Sequence, residues 1–299
     1  MRAPVDTKNP SSVEAVVQAA YLEMFPKGDP LFAPHIFSWA SDCFQGRIPG
    51  YQAIDTPYHD FEHTLQVTLC MTELLQQRQD AEAKPQLTQR FFELGLIATL
   101  FHDTGYLKAL GDNIGTGAKY TSTHVKRGMD FATKFLAGKM FLPHEFVSVQ
   151  NMIQCTGMDA TPTLIPFGSQ MELVVGQALA TADLLGQMAA GNYLDKLPLL
   201  YSELAEAALY NKEKATYVSM YSSAMDLVAK TPSFWDNYVK LKLERELGGV
   251  HKFLRNPYPD GLNPYIDCIE ANIEKIRQLL ATNSFKYPCS TDTARITKP

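Results

Sequence analysis

The chain has 299 residues, of which 45% are hydrophobic and 20% are charged, so it has enough apolar material for one large core. Its formal net charge of -5 excludes the basic surface needed to wrap a nucleic-acid backbone, and we expect no nucleic-acid partner. A nucleotide-sized substrate stays compatible with this charge, because a bound metal ion would add local positive charge that the sum omits.

Five scattered cysteines contain no CxxC pair, which does not favour a disulfide framework. The N-terminal segment lacks the apolar core of a signal peptide, and no apolar run approaches the roughly 18 residues of a membrane span. We therefore expect a cytoplasmic protein with no membrane partner.

Apolar residues recur at helical spacing along most of the chain, and persuasive alternating β patterns are missing. The pattern predicts an all-α protein. A glycine-rich loop is expected over 105–122, beside the end of a very apolar helix. The predicted helices cover 12–24, 35–44, 58–78, 87–102, 123–137, 144–154, 170–190, 196–208, 212–229, 232–247 and 264–280.

Potential metal ligands stand at the ends of two of these helices. His59 and His63 lie four residues apart at the start of one helix, so both imidazoles can project from the same face. An apolar helix further on ends in His102 and Asp103. Imidazole and carboxylate groups are ligands that divalent metals accept. Taken alone, such a histidine pair is more often a surface or structural pair.

Asp183 stands out as a carboxylate within a long apolar helix. An unpaired buried carboxylate would cost several kcal/mol, and a metal cation would offset that cost. The same residue could instead cap a kink or pair with a lysine or arginine. The order of His63, His102, Asp103 and Asp183 along core helices makes metal binding the favoured interpretation.

These four residues give the chain its resemblance to the HD superfamily of metal-dependent phosphohydrolases, whose signature is His…His-Asp…Asp on a helical bundle. His63, His102, Asp103 and Asp183 occupy the four positions, and the likeness covers residues 58–188. The resemblance implies an HD-domain helical bundle that holds one or two divalent metal ions. The donor set does not distinguish Mn, Fe, Zn, Mg and Ni.

The segment PYHDFEHTLQVTLCM also resembles the metal-site helix of cyclic-nucleotide phosphodiesterases, which read Tyr-His-Asn-x-x-His. In that family the first histidine protonates the leaving oxygen and the second binds metal. The resemblance implies that His59 is the general acid. In phosphoester hydrolysis, Asp103 could then both bind the metal and orient the attacking water. Asp60 departs from the family pattern, because the phosphodiesterases have asparagine there.

A third likeness concerns His124, which stands four residues before Gly128. HD-GYP proteins and related diiron oxygenases carry a further histidine after His-Asp, in a His-Pro-x-x-Gly setting, that binds a second metal. The resemblance makes His124 a candidate ligand; the alternative is a base that faces the phosphate. These groups also have a later histidine that this chain lacks at 152–156, so a second site is either incomplete, completed by His144 or Cys155, or filled through water.

Three residues are candidates for substrate contact. Lys126 and Arg127 adjoin His124 and could contact an anion, although one helix cannot point both inward. Tyr58 could line a pocket for a base. The alternatives are solvated polar groups for the two cations and a simple pocket wall for the tyrosine.

The predicted organisation has four parts. Residues 1–50 form an N-terminal helical segment and 51–190 form the HD metal-binding core. Residues 191–282 form a C-terminal helical extension packed on the core, and 283–299 form a flexible tail. The extension would close one side of the bundle and shape the pocket, or it would form the interface of a homodimer.

The leading functional prediction is metal-dependent hydrolysis of a small phosphorylated substrate, such as a nucleotide or cyclic nucleotide, by a phosphodiesterase or phosphomonoesterase. One alternative is a diiron oxygenase built on the same scaffold. A further alternative is a sensor module that keeps its metal without turnover. Fold alone does not decide among the three.

Overall fold

A computed structural model describes residues 5–139, 141–210 and 220–282, and all regular elements within these ranges are helical. The prediction of an all-α fold is therefore confirmed. The only β pairing in the described ranges is two isolated bridges. The helices are α1 (Pro10–Met24), α2 (Phe32–Phe44), α3 (Phe61–Asp80), α4 (Gln89–Phe101), α5 (His124–Leu136), α6 (Pro143–Gln154), α7 (Gln170–Met188), α8 (Tyr193–Tyr210), α9 (Ala224–Phe234), α10 (Lys240–Arg245) and α11 (Pro264–Ala281).

Helices α3, α4 and α7 form the centre of the bundle. Every residue from Phe92 to Phe101 in α4 is buried, as expected for a helix that is apolar on nearly all sides. Helices α3 and α7 pack along each other, and α4 packs against both. Glycine permits one close approach, since a Cβ atom at Gly186 of α7 would lie only 2.9 Å from the Gln66 carbonyl oxygen of α3.

The predicted helix break before Pro232 is wrong. Helix α9 contains Pro232 and continues through a π-helical turn, Trp235–Val239, into α10. The Trp235 side chain is fully buried, and its Nε1 donates a hydrogen bond to Glu270 Oε1 of α11 over 2.9 Å. This packing against α11 supports a helix that proline alone would interrupt, and the π turn absorbs the irregularity.

Two other predictions fall partly or wholly outside the described residues. Of the helix predicted over 212–229, residues 212–219 are not described; residues 220–223 are described and are not helical, because Ser223 is the N-cap and α9 begins at Ala224. The flexible tail predicted over 283–299 also lies outside the described residues.

Within the described ranges, no single helix is long and apolar enough to cross a membrane. Helices α7 and α8 meet that test only when taken together, across a bend of 112°.

Candidate metal centre

Four side chains from the central helices converge on one point. His63 Nε2 lies 3.3 Å from both Asp103 Oδ2 and Asp183 Oδ1, and His102 Nε2 lies 3.3 Å and 3.6 Å from the same two oxygens. His63, His102 and Asp103 are nearly inaccessible, whereas the Asp183 side chain is 18% exposed. The ligand atoms of the three buried residues lie within 4.8 Å of one another, so they form a cluster that could hold a metal ion.

Local helix signals position these ligands. Asp60 is the N-cap of α3, and its Oδ1 accepts a hydrogen bond of 2.8 Å from the His63 backbone N–H. Helix α4 ends directly before His102, and the chain then tightens into a 3₁₀ turn, Thr104–Tyr106. The Thr104 hydroxyl donates to the Phe101 carbonyl over 2.7 Å, which fixes the turn that carries His102 and Asp103.

Backbone hydrogen bonds orient two of the histidine rings. His102 Nδ1 donates to the Thr99 carbonyl over 2.7 Å, and His124 Nδ1 donates to the Thr121 carbonyl over 2.6 Å. In its neutral form each ring therefore carries its proton on Nδ1 and leaves the Nε2 lone pair free to bind a metal ion. Metal-binding histidines are held in this way, with the second nitrogen donating to a carbonyl or carboxylate.

Opposite charges stabilise one another in the cluster. Burial lowers the pKa of His63, but the carboxylates of Asp103 and Asp183 outweigh this effect and raise it to about 9. Burial likewise raises the pKa of Asp103, yet His102 and His63 hold it well below its usual range. The carboxylates thus remain ionised, and each needs a positive charge close by, whether a proton on imidazole or a metal cation.

Two glycines bring His124 to the cluster. A Cβ at Gly105 would lie 1.8 Å from the His124 carbonyl oxygen, and a Cβ at Gly128 would lie 2.8 Å from that of His102. The first turn of α5 can therefore pack directly against the His-Asp turn. His124 Nε2 lies 3.8 Å from Asp103 Oδ1, whereas His63 and His102 lie near the other oxygen, Oδ2. This arrangement gives a physical reason for the spacing between His124 and Gly128.

The His59 ring lies 5.4 Å from the His63 ring, and a carboxylate holds it in place. Its Nδ1 lies 2.5 Å from Glu203 Oε2, and Glu203 Oε1 accepts hydrogen bonds from the Tyr58 and His59 backbone N–H groups at 2.6 and 3.2 Å. Burial lowers the pKa of His59, but Glu203 outweighs it, so the pKa is raised. Tyr106 stacks on both His59 and His124, with ring centroids 4.8 and 4.7 Å away, and the two histidine rings are themselves 6.2 Å apart.

The departure from the phosphodiesterase pattern at Asp60 has a structural counterpart. Lys196 of α8 donates to both Asp60 carboxylate oxygens over 3.1 and 3.0 Å, and its Nζ lies 3.1 Å from Glu62 Oε2. Aspartate caps α3 as asparagine would, because both offer an Oδ1 acceptor. The additional negative charge is paired with Lys196.

The three candidate substrate residues make other contacts in the structure. Lys126 extends into solvent, 82% exposed, with its Nζ 3.7 Å from Asp130. Arg127 donates hydrogen bonds to the Gly105 and Leu107 carbonyls over 2.8 and 2.6 Å and thereby stabilises the loop after Asp103. Tyr58 is buried and donates from its hydroxyl to Gln187. Their substrate roles stay predictions, and these contacts favour structural roles.

His144 and Cys155 lie away from the cluster. His144 is exposed at the start of α6 and lines a groove together with Arg90. Cys155 is buried in the core, where a Cβ at Gly176 would lie 2.9 Å from its sulfur. Among the described residues, neither of them completes a second set of ligands beside His124.

Glu203 is the residue of this site that the sequence did not reveal. It lies on the inward face of α8 with Leu197 and Ala207, and its side chain is only 1% exposed. The sequence feature that could have indicated Glu203 is a carboxylate on the same side of the helix as apolar residues. It was weak, because the amphipathic helix carries two other acidic residues, Asp195 and Glu206.

The fold and the site define a helical protein with a buried cluster of histidine and aspartate side chains. Residues 12–252 match the family described as Npun_R2479-like, and the chain belongs to that family. The match includes all the cluster residues as well as Glu203 and Lys196. No curated protein matches the chain.

Proposed function

We propose that this protein hydrolyses a small phosphoester and that His63, His102, Asp103 and Asp183 hold a divalent metal ion for the reaction. One observation carries the proposal. His63 Nε2, His102 Nε2 and Asp103 Oδ2 are enclosed atoms with no hydrogen-bond partner in the described structure. Buried polar atoms without partners are destabilising, and a shared cation would remove that cost.

The residues present fit such an ion. Ligand atoms about 2.1 Å from one tetrahedral ion lie about 3.4 Å from each other, and the nitrogen–oxygen distances here are 3.3 to 3.6 Å. Two imidazoles and two carboxylates are acceptable to several first-row divalent metals and to magnesium, so the donor set does not select one. When bound, such an ion supplies a water with a pKa near 7 and positive charge for phosphate oxygens.

The protein's own groups supply the rest of the chemistry. Glu203 accepts a hydrogen bond from His59 Nδ1 and raises the pKa of the imidazole, which favours its protonated form. An imidazole with a raised pKa is suited to protonate a departing alkoxide. Asp103 Oδ1 and His124 Nε2 face each other at 3.8 Å, where they could orient a water or a phosphate oxygen. The enclosure of His63, His102 and Asp103 keeps bulk water away and strengthens these electrostatic contacts.

The test is metal analysis followed by a substrate screen. Protein purified without added metal or chelator is expected to contain about one or two equivalents of a divalent metal. It should then hydrolyse at least one of 5′-AMP, 3′,5′-cyclic AMP, p-nitrophenyl phosphate and bis(p-nitrophenyl) phosphate, and chelation should abolish that activity.

Three results would count against the proposal. Metal below about a tenth of an equivalent, with none taken up on titration, would remove the metal site. Metal without hydrolysis of any ester would favour the sensor module. Two tightly held irons with a mixed-valence spectrum would favour the diiron oxygenase.

A further inference from the structure

Tyr106 contacts both of the more accessible histidines beside the cluster, and the reaction proposed above gives it no role. Its ring is inclined by 24° to the His59 ring and by 12° to the His124 ring, so it stacks on both imidazoles. Tyr106 is completely buried, whereas the His59 and His124 side chains are 17% and 20% exposed. The tyrosine therefore forms a buried wall on which both histidine rings rest.

One hydrogen bond holds each imidazole but does not fix its orientation. His59 is bound at Nδ1 by Glu203, and His124 is bound at Nδ1 by the Thr121 carbonyl. A ring bonded through a single atom can still swing about that bond, since only one point of the ring is fixed. Contact across the face of the ring opposes this motion. Stacking on Tyr106 therefore supplies the restraint that the hydrogen bonds lack, and it does not engage either Nε2 atom.

The backbone of Tyr106 is held on both sides. Tyr106 ends the 3₁₀ turn that begins directly after Asp103, and its backbone N–H donates to the Asp103 carbonyl over 3.0 Å. Arg127 donates to the carbonyls of the residues before and after it, Gly105 and Leu107. The ring that contacts the two histidines is thus attached to the same turn that carries a proposed metal ligand.

We propose that Tyr106 is a positioning residue for phosphoester hydrolysis, whose ring holds His59 and His124 in fixed orientations relative to Asp103. This role rests on the proposed function, because both histidines are assigned to that reaction. His59 is the proposed acid, and His124 Nε2 lies 3.8 Å from Asp103 Oδ1. A proton donor and an orienting group act on one substrate only when their geometry is held to within about 0.5 Å.

The test compares Tyr106→Leu, which removes the stacking surface, with Tyr106→Phe, which keeps it. Tyr106→Leu should slow hydrolysis by about tenfold to a hundredfold with metal content unchanged, and Tyr106→Phe should stay within about threefold of the unaltered protein. Equal turnover in the two variants, or loss of metal from Tyr106→Leu, would overturn the positioning role. Either result would leave the proposed function intact.

A double variant tests whether Tyr106 acts through His59. Tyr106→Leu should slow the His59→Ala protein less than it slows the unaltered protein, because one of the rings that Tyr106 orients is already gone. Losses that combine in full would show that Tyr106 acts by another route and would overturn the proposal.

Nuclear magnetic resonance of the metal-free protein provides a readout that needs no hydrolysis. The imidazole Cε1–H resonances of His59 and His124, assigned with His59→Ala and His124→Ala, should shift and broaden in Tyr106→Leu and keep their positions in Tyr106→Phe. Unchanged resonances in Tyr106→Leu would overturn the proposal whether or not any ester is hydrolysed. Resonances that respond as expected in a protein that hydrolyses no ester would support the orienting contact and count against the proposed function alone.

Tyr21→Leu is the matched control for the loss of a buried, stacked tyrosine. Tyr21 is also completely buried, but it stacks on Phe92 and its hydroxyl donates to Glu93 of α4. Its replacement should lower the Tm and leave turnover and the two histidine resonances unchanged. A loss of turnover in Tyr21→Leu as large as that in Tyr106→Leu would assign the effect to lowered stability and would overturn the proposal.

Discussion

Two regions of the molecule contribute to the candidate site in different ways. Helices α3 and α7 supply His63 and Asp183, and the end of α4 supplies His102 as its C-cap; the three side chains meet in the cluster. Helix α8, in the C-terminal extension, supplies Glu203 and Lys196, which stay outside the cluster and hold residues at its edge. The centre thus provides ligands, while the extension provides orientation and charge balance.

The difference shows why one region could be interpreted from sequence and the other could not. A histidine or carboxylate inside an apolar helix is anomalous, because its burial without a partner is costly. Glu203 and Lys196 lie on an amphipathic helix, where charged residues are ordinary. Only the folded structure reveals which of them faces inward.

The largest effect is expected in the central region, from Asp183→Ala. This change removes one of the two carboxylates that face His63 and His102, so bound metal and hydrolysis should be lost together. Elemental analysis and an assay on the same sample provide the measurement. Asp195→Ala, at an exposed position in α8, is the control and should change neither. Retention of metal and activity in Asp183→Ala would show that the cluster is not the site.

His59→Ala should spare the metal and slow turnover, since His59 is not among the clustered ligands. Loss of a general acid costs about 10²- to 10⁴-fold, and the loss should be greatest for substrates with poor leaving groups. The comparison of an alkyl ester with a p-nitrophenyl ester measures this difference. Equal slowing of both would argue against proton donation by His59.

Glu203→Gln tests the contribution of the extension. Glutamine keeps a hydrogen-bond acceptor but loses the charge that raises the pKa of His59. Turnover should fall by about tenfold to a hundredfold with metal content unchanged. Because the acid must be protonated, the alkaline limb of the pH profile should move to lower pH.

Glu206→Gln supplies the control for that experiment. Glu206 lies one turn further along α8 and binds Thr116 of the loop rather than His59. Its replacement should leave the alkaline limb where it is in the unaltered protein. A shift of the same size in both variants would mean that α8 acts through general structure and not through His59.

The smallest effect is expected from a salt bridge that belongs neither to the metal-ligand cluster nor to α8. Arg90 forms a bidentate salt bridge with Glu145. This salt bridge joins α4 to α6 and holds the pKa of Glu145 below its usual range. The pair therefore stabilises the fold above the unfolded-state pKa of about 4.3, and this contribution is lost as the pH falls through the lower pKa of the folded state.

Glu145→Gln should accordingly lower the free energy of unfolding by about 1–2 kcal/mol at pH 7. The difference from the unaltered protein should shrink as the pH falls below about 4. Urea unfolding at several pH values measures it. Asp130→Asn, which removes the exposed partner of Lys126, should change stability by less than about 0.5 kcal/mol throughout.

Sequence patterns predicted most helices because their apolar spacing reflects a single buried face or full burial. The predicted break before Pro232 is wrong because Trp235 is buried against α11, and this packing supports the helix through the proline. The contact joins residues far apart in sequence. Likewise, Arg127 is next to His124 in sequence, but its guanidinium turns to the Gly105 and Leu107 carbonyls. Helical neighbours point in different directions, and sequence proximity does not decide which one faces the site.

The salt bridge between Lys196 and the start of α3 has a consequence for the protein's evolution. Loss of the charge at Asp60 would leave Lys196 paired with Glu62, so that substitution can be accepted first. Loss of Lys196 first would leave two carboxylates side by side without their shared cation. Within the family, lineages should therefore neutralise position 60 before position 196, and the two positions should covary in one direction more readily than in the other.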